Sequence, residues 1–203
     1  MTMPLPLSLP LAFLIGGIPF GFLAVRLLLG EDVRDTGSGN IGATNVGRSF
    51  KGPWRWVAFA GIYLLDFAKG LVPVFLLAPA LPVWSAAAVG LVAVAGHCFS
   101  PFLRFKGGKG VATTCGVMAA LDWFALVIAI GAFFAVLLVT RVTALGSLVL
   151  GFALAAAVVL REPSTAFATR WPVTALALFF ALFFVWTHRS NIQRMHAGRQ
   201  ARA

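Results

Sequence analysis

The chain has 203 residues, enough for one ordinary soluble domain, but 60% of them are hydrophobic and only 11% are charged. Soluble domains have roughly 45–50% apolar and about 25% charged residues. A fold of this size exposes much of its surface, and so few charges cannot cover that surface in water. The composition therefore excludes a soluble enzyme, a disordered chain and a disulfide scaffold. The net charge of +10 does not indicate nucleic acid, since no long stretch is polar enough for a soluble binding module.

The apolar runs predict an all-α, polytopic integral membrane protein with seven helices, forming one domain over residues 1–203. The run 111–139 would measure about 43 Å as one straight helix, more than the ~30 Å hydrocarbon core. Asp122 interrupts this run. We therefore expect a short fourth helix, which cannot cross alone and must be re-entrant or sheltered by protein. The predicted helices are 5–29, 54–78, 83–99, 110–121, 123–139, 143–160 and 171–187.

The basic residues predict an N-terminus outside and a C-terminus inside. In that orientation twelve of the 16 Lys and Arg lie in inside segments, two lie outside and two lie within helices. Six helices would instead place Arg141 and the basic C-terminal tail outside, against the tendency of Lys and Arg to stay in the cytoplasm. The predicted inside segments are 30–55, 99–110, 140–142 and 188–203.

The first inside segment carries a polar, glycine-rich stretch at 37–48. It contains G-x-G-x-x-G, but a membrane helix precedes it rather than a strand, which excludes a dinucleotide-binding βαβ unit. Such a loop can bring backbone N–H groups and hydroxyls close to an oxyanion. A flexible connector rich in turn formers would explain the same residues. The candidate binding residues are Ser38, Asn40, Thr44, Asn45 and Arg48.

The second inside segment, 105–114, leads three glycines into the N-terminus of the short helix. Unbonded N–H groups and the positive end of the helix dipole favour phosphate there. A lysine adds a full charge and a threonine adds a hydroxyl. The alternative is a lysine that merely snorkels to the interface. The candidates are Gly107, Gly108, Lys109, Gly110 and Thr113.

The third inside segment closes the chain with His188, Asn191 and Arg194, which are spaced by three and share a face if the last helix continues. The histidine can serve as a base, as a donor to an oxyanion or as a structural partner. A basic tail of this kind is also typical of an anchor for lipid headgroups. Ser147, near the inside end of the sixth helix, faces either a neighbouring helix or the site.

Ionisable residues also occur within the predicted helices. Asp66 and Lys69 predict an i,i+3 ion pair, although a proton or ion path in a small anion transporter is an alternative. No inverted repeat is visible to support a transporter. His97 is either a packing residue or a functional one. Cys98 and Cys115 predict buried, unpaired thiols.

Taken together, the three inside segments resemble the three motifs of the PlsY family, the bacterial acyl-phosphate:glycerol-3-phosphate acyltransferases. The resemblance covers the whole chain in order, including the stretches around Lys69 and His97. It is carried by residues 38–46 with Arg48, by 107–113, and by 188–192 with Arg194 and Gly198.

The resemblance implies a seven-helix enzyme of the bacterial inner membrane with its motifs on the cytoplasmic side. Such an enzyme moves an acyl chain from acyl phosphate to the sn-1 hydroxyl of glycerol 3-phosphate, giving lysophosphatidic acid and phosphate in the first step of phospholipid synthesis. The family uses no CoA, cofactor or metal, and a functional link to the enzyme that makes acyl phosphate is expected. Catalytic roles fall to Ser38, Arg48, Lys109, His188 and Asn191, and substrate contacts to Asn40, Thr44, Asn45, Gly107, Gly108, Gly110, Thr113, Ser147 and Arg194.

The sequence departs from the family at its C-terminal end, where Gln200 replaces an acid that looks structural, so activity need not be lost. Acyltransferases that use CoA or a carrier protein show H-x-x-x-x-D. No His here has an Asp at that spacing, which excludes that class. Acyl phosphate is already activated, so direct attack by the hydroxyl needs no acyl-enzyme. Either His188 or a substrate phosphate would take the proton.

Overall fold

The computed structural model describes residues 3–78 and 81–198, and all regular elements within these ranges are helical. The chain forms two compact units, residues 1–117 and 118–203, with the boundary inside one short helix. The helices are α1 (Leu5–Gly17), α2 (Phe20–Leu29), α3 (Ala43–Ser49), α4 (Trp54–Leu77), α5 (Val83–Cys98), α6 (Val111–Leu121), α7 (Trp123–Thr140), α8 (Thr143–Arg161), α9 (Pro163–Ala166), α10 (Trp171–Thr187) and α11 (Arg189–His196), with 3₁₀ turns at Val33–Asp35 and Pro101–Leu103.

The predicted all-helical membrane fold is confirmed, and most predicted helix ends agree with the structure to within a residue. Among the described residues, five helical segments are long and apolar enough to cross a membrane. A sixth is added if α10 and α11, bent by 52°, form one span. The seven-helix count and the orientation stay predictions. The five segments are Leu5–Leu29, Trp54–Leu77, Val83–Leu103, Trp123–Thr140 and Thr143–Arg161.

The first apolar run forms one candidate span over Leu5–Leu29, as predicted, but its helix is interrupted at Ile18 and Pro19 and is not continuous. Proline has no N–H to continue the helix, and the residue before it avoids helical backbone. Ile18 accordingly has φ −56° and ψ 119°. Pro10 is accommodated inside α1, whereas Pro19 follows two consecutive glycines of low helix propensity.

The carbonyl groups exposed by this break accept hydrogen bonds from side chains of other elements. Ser100 Oγ donates to the Gly17 carbonyl at 2.6 Å, and Lys69 Nζ donates to the Ile18 carbonyl at 2.9 Å. Lipid offers no donors for such carbonyls, so these two bonds stabilise the break.

In the first unit, α1 and α5 are in direct backbone contact. A Cβ atom at Gly16 would overlap the carbonyl of Ala93, and a Cβ atom at Gly96 would overlap the carbonyl of Phe13. Only glycine permits this approach, which is a common way of packing helices tightly where lipid supplies no hydrophobic driving force.

In the second unit, α8 packs against both α7 and α10. Leu154 of α8 and Phe180 and Phe184 of α10 are fully buried in this packing. Gly151 lets α8 approach the Phe184 ring closely. The packing therefore fixes the end of α10, where the third predicted motif begins.

Asp122 lies between α6 and α7, and the predicted interruption of the apolar run at this residue is confirmed. Its Oδ1 accepts from the N–H of Ala125 at 3.0 Å, which caps α7. Arg161 donates to the same carboxylate at 2.7 Å and Arg170 at 2.5 Å. Glu162 contacts both arginines. This cluster of acidic and basic side chains was not predicted, and it connects the beginning of α7, the end of α8 and the beginning of α10.

Candidate active site

The side chain of Asn45 organises the first polar loop. Its Oδ1 accepts from the N–H of Ser38 at 2.9 Å, and its Nδ2 donates to the carbonyls of Val33 and Thr36 at 2.9 and 3.0 Å. Gly37, with φ +53°, passes so close that a Cβ atom would overlap Asn45 Oδ1. The amide that the family resemblance assigns to the substrate is thus bonded at both ends to the loop backbone, and it fixes the position of Ser38.

The other predicted residues of this loop lie closer to its surface. Ser38, Asn40 and Thr44 are half-buried, and Arg48 is exposed in the last turn of α3. Asn40 Oδ1 accepts from the N–H of Gly42 at 2.9 Å, just before α3 begins. Ser38, Thr44 and Arg48 therefore stand in a folded loop rather than in a flexible connector.

A second arginine of this loop, Arg34, is bound to a protein carboxylate. Its Nη2 lies 2.6 Å from Asp32 Oδ2. This hydrogen bond lowers the pKa of Asp32 to about 2, so the carboxylate stays ionised at neutral pH and keeps its partner. Arg34 is thereby used within the protein, which leaves Arg48 as the predicted phosphate ligand of the loop.

The glycine loop, residues 106–110, is held against the end of α5. The N–H of Gly107 donates to the carbonyl of Cys98, and the N–H of Gly108 donates to the carbonyl of His97, both at 3.0 Å. These two N–H groups serve the protein itself, contrary to the sequence-based expectation that the glycine N–H groups bind the anion. An anion at this loop would meet the N–H groups at the start of α6 instead.

Lys109 is half-buried immediately before α6. Gly110, with φ +86°, turns the chain into the helix, and its carbonyl accepts from the N–H of Thr114 at 2.8 Å. The N–H groups of the helix residues before Thr114 have no acceptor within the helix. Thr113 is fully buried, and its carbonyl lies where a Cβ atom on Gly70 of α4 would stand. Because Lys109 lies only two residues before Val111, where α6 begins, its charge is adjacent to the N-terminus of this helix.

The first two predicted motifs share one apolar cluster in the first unit. Val33, Ile41 and Val46 of the first loop pack with Leu103, which lies in the turn that leads to the glycine loop. All four side chains are buried. The structure thus brings the Ser38 loop and the Lys109 loop to the same end of this unit, as the predicted topology requires.

In the second unit, His188 lies at the bend between α10 and α11 and is buried. Its Nδ1 is 2.9 Å from the carbonyl oxygen of Phe184. A carbonyl only accepts, so Nδ1 carries the proton, and Nε2 is the acceptor of the neutral ring. The bond thus fixes both the tautomer and the orientation of the imidazole.

The remaining predicted residues lie around this bend and in α8. The chain does continue as a helix, and the N–H of Asn191 donates to the carbonyl of His188 at 2.8 Å. Asn191 is half-buried and Arg194 is exposed. Ser147 is buried in α8, where its Oγ donates to the carbonyl of Thr143 at 3.0 Å. Gln200, where the family has an acid, lies outside the described residues.

The predicted ion pair of Asp66 and Lys69 is confirmed, with Lys69 Nζ 2.8 Å from Asp66 Oδ1. The buried, unpaired thiols of Cys98 and Cys115 are confirmed as well. The hydrogen bonds by which the carbonyls of His97 and Cys98 hold the glycine loop were not predicted. No sequence signal shows such main-chain bonds, because they depend on how two distant segments meet.

Comparisons with known proteins agree with the family that the three motifs resemble. Residues 7–198 match the model of the family described as glycerol-3-phosphate acyltransferase. The chain is 44% identical over 206 residues to glycerol-3-phosphate acyltransferase 1 of Deinococcus radiodurans, covering all of this chain and 97% of that protein. It is 45% identical over 187 residues to the glycerol-3-phosphate acyltransferase of Myxococcus xanthus, covering 91% and 92%.

Two solved structures share the fold. The crystal structure of PlsY, an integral membrane glycerol 3-phosphate acyltransferase, in its glycerol 3-phosphate form has a TM-score of 0.84 at 30% identity, covering 98% of this chain and 95% of that one. The lysophosphatidic acid form has a TM-score of 0.83 at 28% identity, covering 98% and 94%. The chain is thus a multi-pass membrane acyltransferase. It belongs to the glycerol-3-phosphate acyltransferase family.

Proposed function

We propose that this protein transfers a fatty acyl chain from acyl phosphate to the sn-1 hydroxyl of glycerol 3-phosphate, giving lysophosphatidic acid and inorganic phosphate. The family membership supports the acceptor, and the PlsY structures in glycerol 3-phosphate and lysophosphatidic acid forms support acceptor and product. The observation that carries the proposal is the position of Lys109 next to the N-terminus of α6. A cation beside unbonded helix N–H groups suits a phosphate.

Both proposed substrates are phosphates, so the reaction needs two groups of anion ligands. We assign Lys109 and the first N–H groups of α6 to one phosphate. We assign Arg48 to the other phosphate, and Arg194 stays a predicted substrate contact. Ser38, Asn40, Thr44, Ser147 and Asn191 remain the predicted polar contacts with the substrates. The acyl tail enters from the bilayer, which solvates it without a dedicated carrier.

The chemistry needs no covalent intermediate on the protein. Acyl phosphate is a mixed anhydride, and the glycerol hydroxyl oxygen attacks its carbonyl carbon. The new ester C–O bond forms, the C–O bond to phosphate breaks, and phosphate leaves with the bonding electrons. Positioning of the two substrates and stabilisation of charge at the carbonyl oxygen supply the catalysis.

The proposed location is the bacterial inner membrane, with the site facing the cytoplasm. The excess of Lys and Arg in the segments that carry the motifs supports this orientation. Acyl phosphate hydrolyses readily and partitions into lipid. A functional link to the enzyme that makes it, in the first step of phospholipid synthesis, is therefore part of the proposal.

The donor is tested with purified protein in lipid nanodiscs. We expect palmitoyl phosphate to release inorganic phosphate only when glycerol 3-phosphate is present, with one lysophosphatidic acid formed per phosphate. Glycerol without its phosphate should be at least about 100-fold less effective as an acceptor, because it cannot use the anion ligands. Phosphate release and the lipid product are measured in parallel.

Palmitoyl-CoA is the matched donor control, with the same acyl chain and a different leaving group. Turnover with palmitoyl-CoA but not with palmitoyl phosphate would contradict the proposed donor while leaving glycerol 3-phosphate as the acceptor. Equal turnover of glycerol and glycerol 3-phosphate would contradict the assignment of the anion site.

We propose further that His188 accepts the proton of the attacking hydroxyl. The bond from Nδ1 to the Phe184 carbonyl supports this role, because it makes Nε2 the basic atom of the ring. The same bond holds the imidazole in one orientation, which an effective base requires.

Replacing His188 with Ala should lower kcat about 100-fold or more, with a much smaller change in the KM for glycerol 3-phosphate. The control is His196→Ala, which removes an exposed histidine from the last turn of α11 and should change kcat less than about twofold. Near-full activity of His188→Ala would show that a substrate phosphate takes the proton instead. Initial rates with palmitoyl phosphate provide both constants.

A further inference from the structure

A buried polar cluster lies beneath the glycine loop in the first unit. It consists of Asp66 and Lys69 on α4 and His97 at the end of α5, each about 3% exposed. Lys69 Nζ is 2.8 Å from Asp66 Oδ1, and His97 Nδ1 is 3.7 Å from the same oxygen. Charged groups in such apolar surroundings cost free energy unless they are ion-paired and hydrogen-bonded. Their presence here therefore indicates a structural or functional role.

On one side the cluster holds the break in the first apolar segment. Lys69 Nζ donates to the Ile18 carbonyl at 2.9 Å, next to the proline that separates α1 from α2. The ammonium group thus serves Asp66 and this carbonyl together. Replacing it would remove the cation that pairs with the buried Asp66 and would leave the Ile18 carbonyl with only the N–H of Phe20 as a donor.

On the other side the cluster contacts the glycine loop. The carbonyl of His97 accepts from the N–H of Gly108 at 3.0 Å. The imidazole ring lies directly under Gly108, where a Cβ atom would overlap Nε2. The backbone of His97 likewise lies under Gly107, where a Cβ atom would overlap the carbonyl oxygen. The loop therefore rests on His97 through both its ring and its main chain.

We propose that Asp66, Lys69 and His97 are positioning residues, which connect the α1–α2 break to the glycine loop and hold that loop so that Lys109 and the start of α6 face the acceptor phosphate. What the loop binds rests on the proposed function; the support of the loop rests on the contacts alone. Asp66 holds Lys69 and faces His97, and His97 sets the height of the loop above α5.

The contact between His97 and Gly108 is tested by a pair of substitutions. Gly108→Ala places a methyl group in the imidazole ring, so we expect the KM for glycerol 3-phosphate to rise about tenfold or more with a smaller change in kcat. His97→Ala removes the ring and opens space for that methyl group. The KM of the double variant for glycerol 3-phosphate should therefore differ from that of His97→Ala by less than about threefold. Such non-additivity would show strong coupling between the two positions.

Gly107→Ala provides the matched control. Its methyl group would meet backbone atoms of His97 and Cys98, which no side-chain replacement removes. His97→Ala should therefore rescue Gly108→Ala but not Gly107→Ala. Equal rescue of both, or of neither, would overturn the proposal that the ring supports the loop.

Hydrogen exchange of the backbone measures the positioning independently of catalysis. In Lys69→Met, amides in 16–20 and in 106–110 should both exchange at least about tenfold faster than in the unchanged protein. Lys51→Met, at an exposed position, should leave both segments unchanged. Faster exchange confined to 16–20 would overturn the link between the break and the loop.

These readouts separate the two proposals. A protein that does not use glycerol 3-phosphate would contradict the proposed function, and the exchange rates of 106–110 would still test the support of the loop. If Lys69→Met yields no folded protein, the exchange of 106–110 in the His97 and Gly108 variants decides the question.

Discussion

Replacing Lys109 with Met should lower kcat/KM for glycerol 3-phosphate by about 100-fold or more, the usual cost of removing one donor aimed at a developing or bound anion. A 100-fold loss corresponds to about 2.7 kcal/mol. Methionine keeps the length and the apolar part of the side chain but removes the charge that stands before α6. The helix N–H groups remain, so residual binding should persist as a raised KM. Initial rates over a range of glycerol 3-phosphate concentrations measure the effect.

Lys106→Met is the matched control, because Lys106 lies three residues earlier in the same loop and is exposed. It removes the same charge from the same surface, yet we expect a change of less than about threefold, which long-range attraction alone would give. Equal losses in the two variants would show that the overall positive charge of the loop attracts the substrate. That result would contradict a phosphate site at the start of α6.

Asp122→Ala should destabilise the second unit by about 2–3 kcal/mol, because it removes the charge-assisted hydrogen bonds that a buried carboxylate makes. Arg161 and Arg170, which are partly exposed, keep only their ion pairs with Glu162. The substitution also removes the cap on the N–H of Ala125 at the start of α7, which by itself contributes about 1 kcal/mol. Denaturant unfolding in mild detergent, followed by tryptophan fluorescence, measures the free energy of unfolding.

Two variants separate these contributions. Asp122→Asn keeps an acceptor for the cap while it removes the charge, so its stability should lie between that of the unchanged protein and that of Asp122→Ala. Glu162→Gln removes a solvent-accessible carboxylate from the same cluster and should lower stability much less than Asp122→Ala does. A loss as large for Glu162→Gln as for Asp122→Ala would show that the total charge of the cluster, and not the buried carboxylate, stabilises the unit.

The features predicted from the sequence are those determined within a few residues of one another. Asp122 ends an apolar run because a lone charge cannot lie in lipid, and the run is too long for one helix. Asp66 and Lys69 pair because a helix places residues three apart on the same face. The position of Lys109 before a helix follows from the glycines that precede the helix. Each of these predictions is confirmed by the structure.

The features that were missed depend on segments that meet only in the folded protein. Four prolines lie in the apolar segments Leu5–Leu29 and Trp54–Leu77 at positions 6, 10, 19 and 73, but only Pro19 separates two helices. One reason for this difference is that Lys69 and Ser100 donate hydrogen bonds to the carbonyls of Ile18 and Gly17, next to Pro19. These donors cannot be predicted from the sequence around Pro19. For the same reason, the sequence does not show that Gly107 and Gly108 bond to α5 rather than to a ligand. The backbone N–H groups that bind a ligand must therefore be assigned from the folded structure.

The break between α1 and α2 also bears on how the protein is made. The side-chain donors to its two carbonyls follow much later in the chain, since Lys69 lies 51 residues after Ile18 and Ser100 lies 83 residues after Gly17. A ribosome synthesises the chain from its N-terminus at about 5–20 residues per second, so the first segment waits several seconds for these donors. Until Ser100 is in place, water, lipid headgroups or the insertion machinery must supply a donor to the Gly17 carbonyl. The α1–α2 segment, although synthesised before α4 and α5, therefore reaches its final structure only after they have been made.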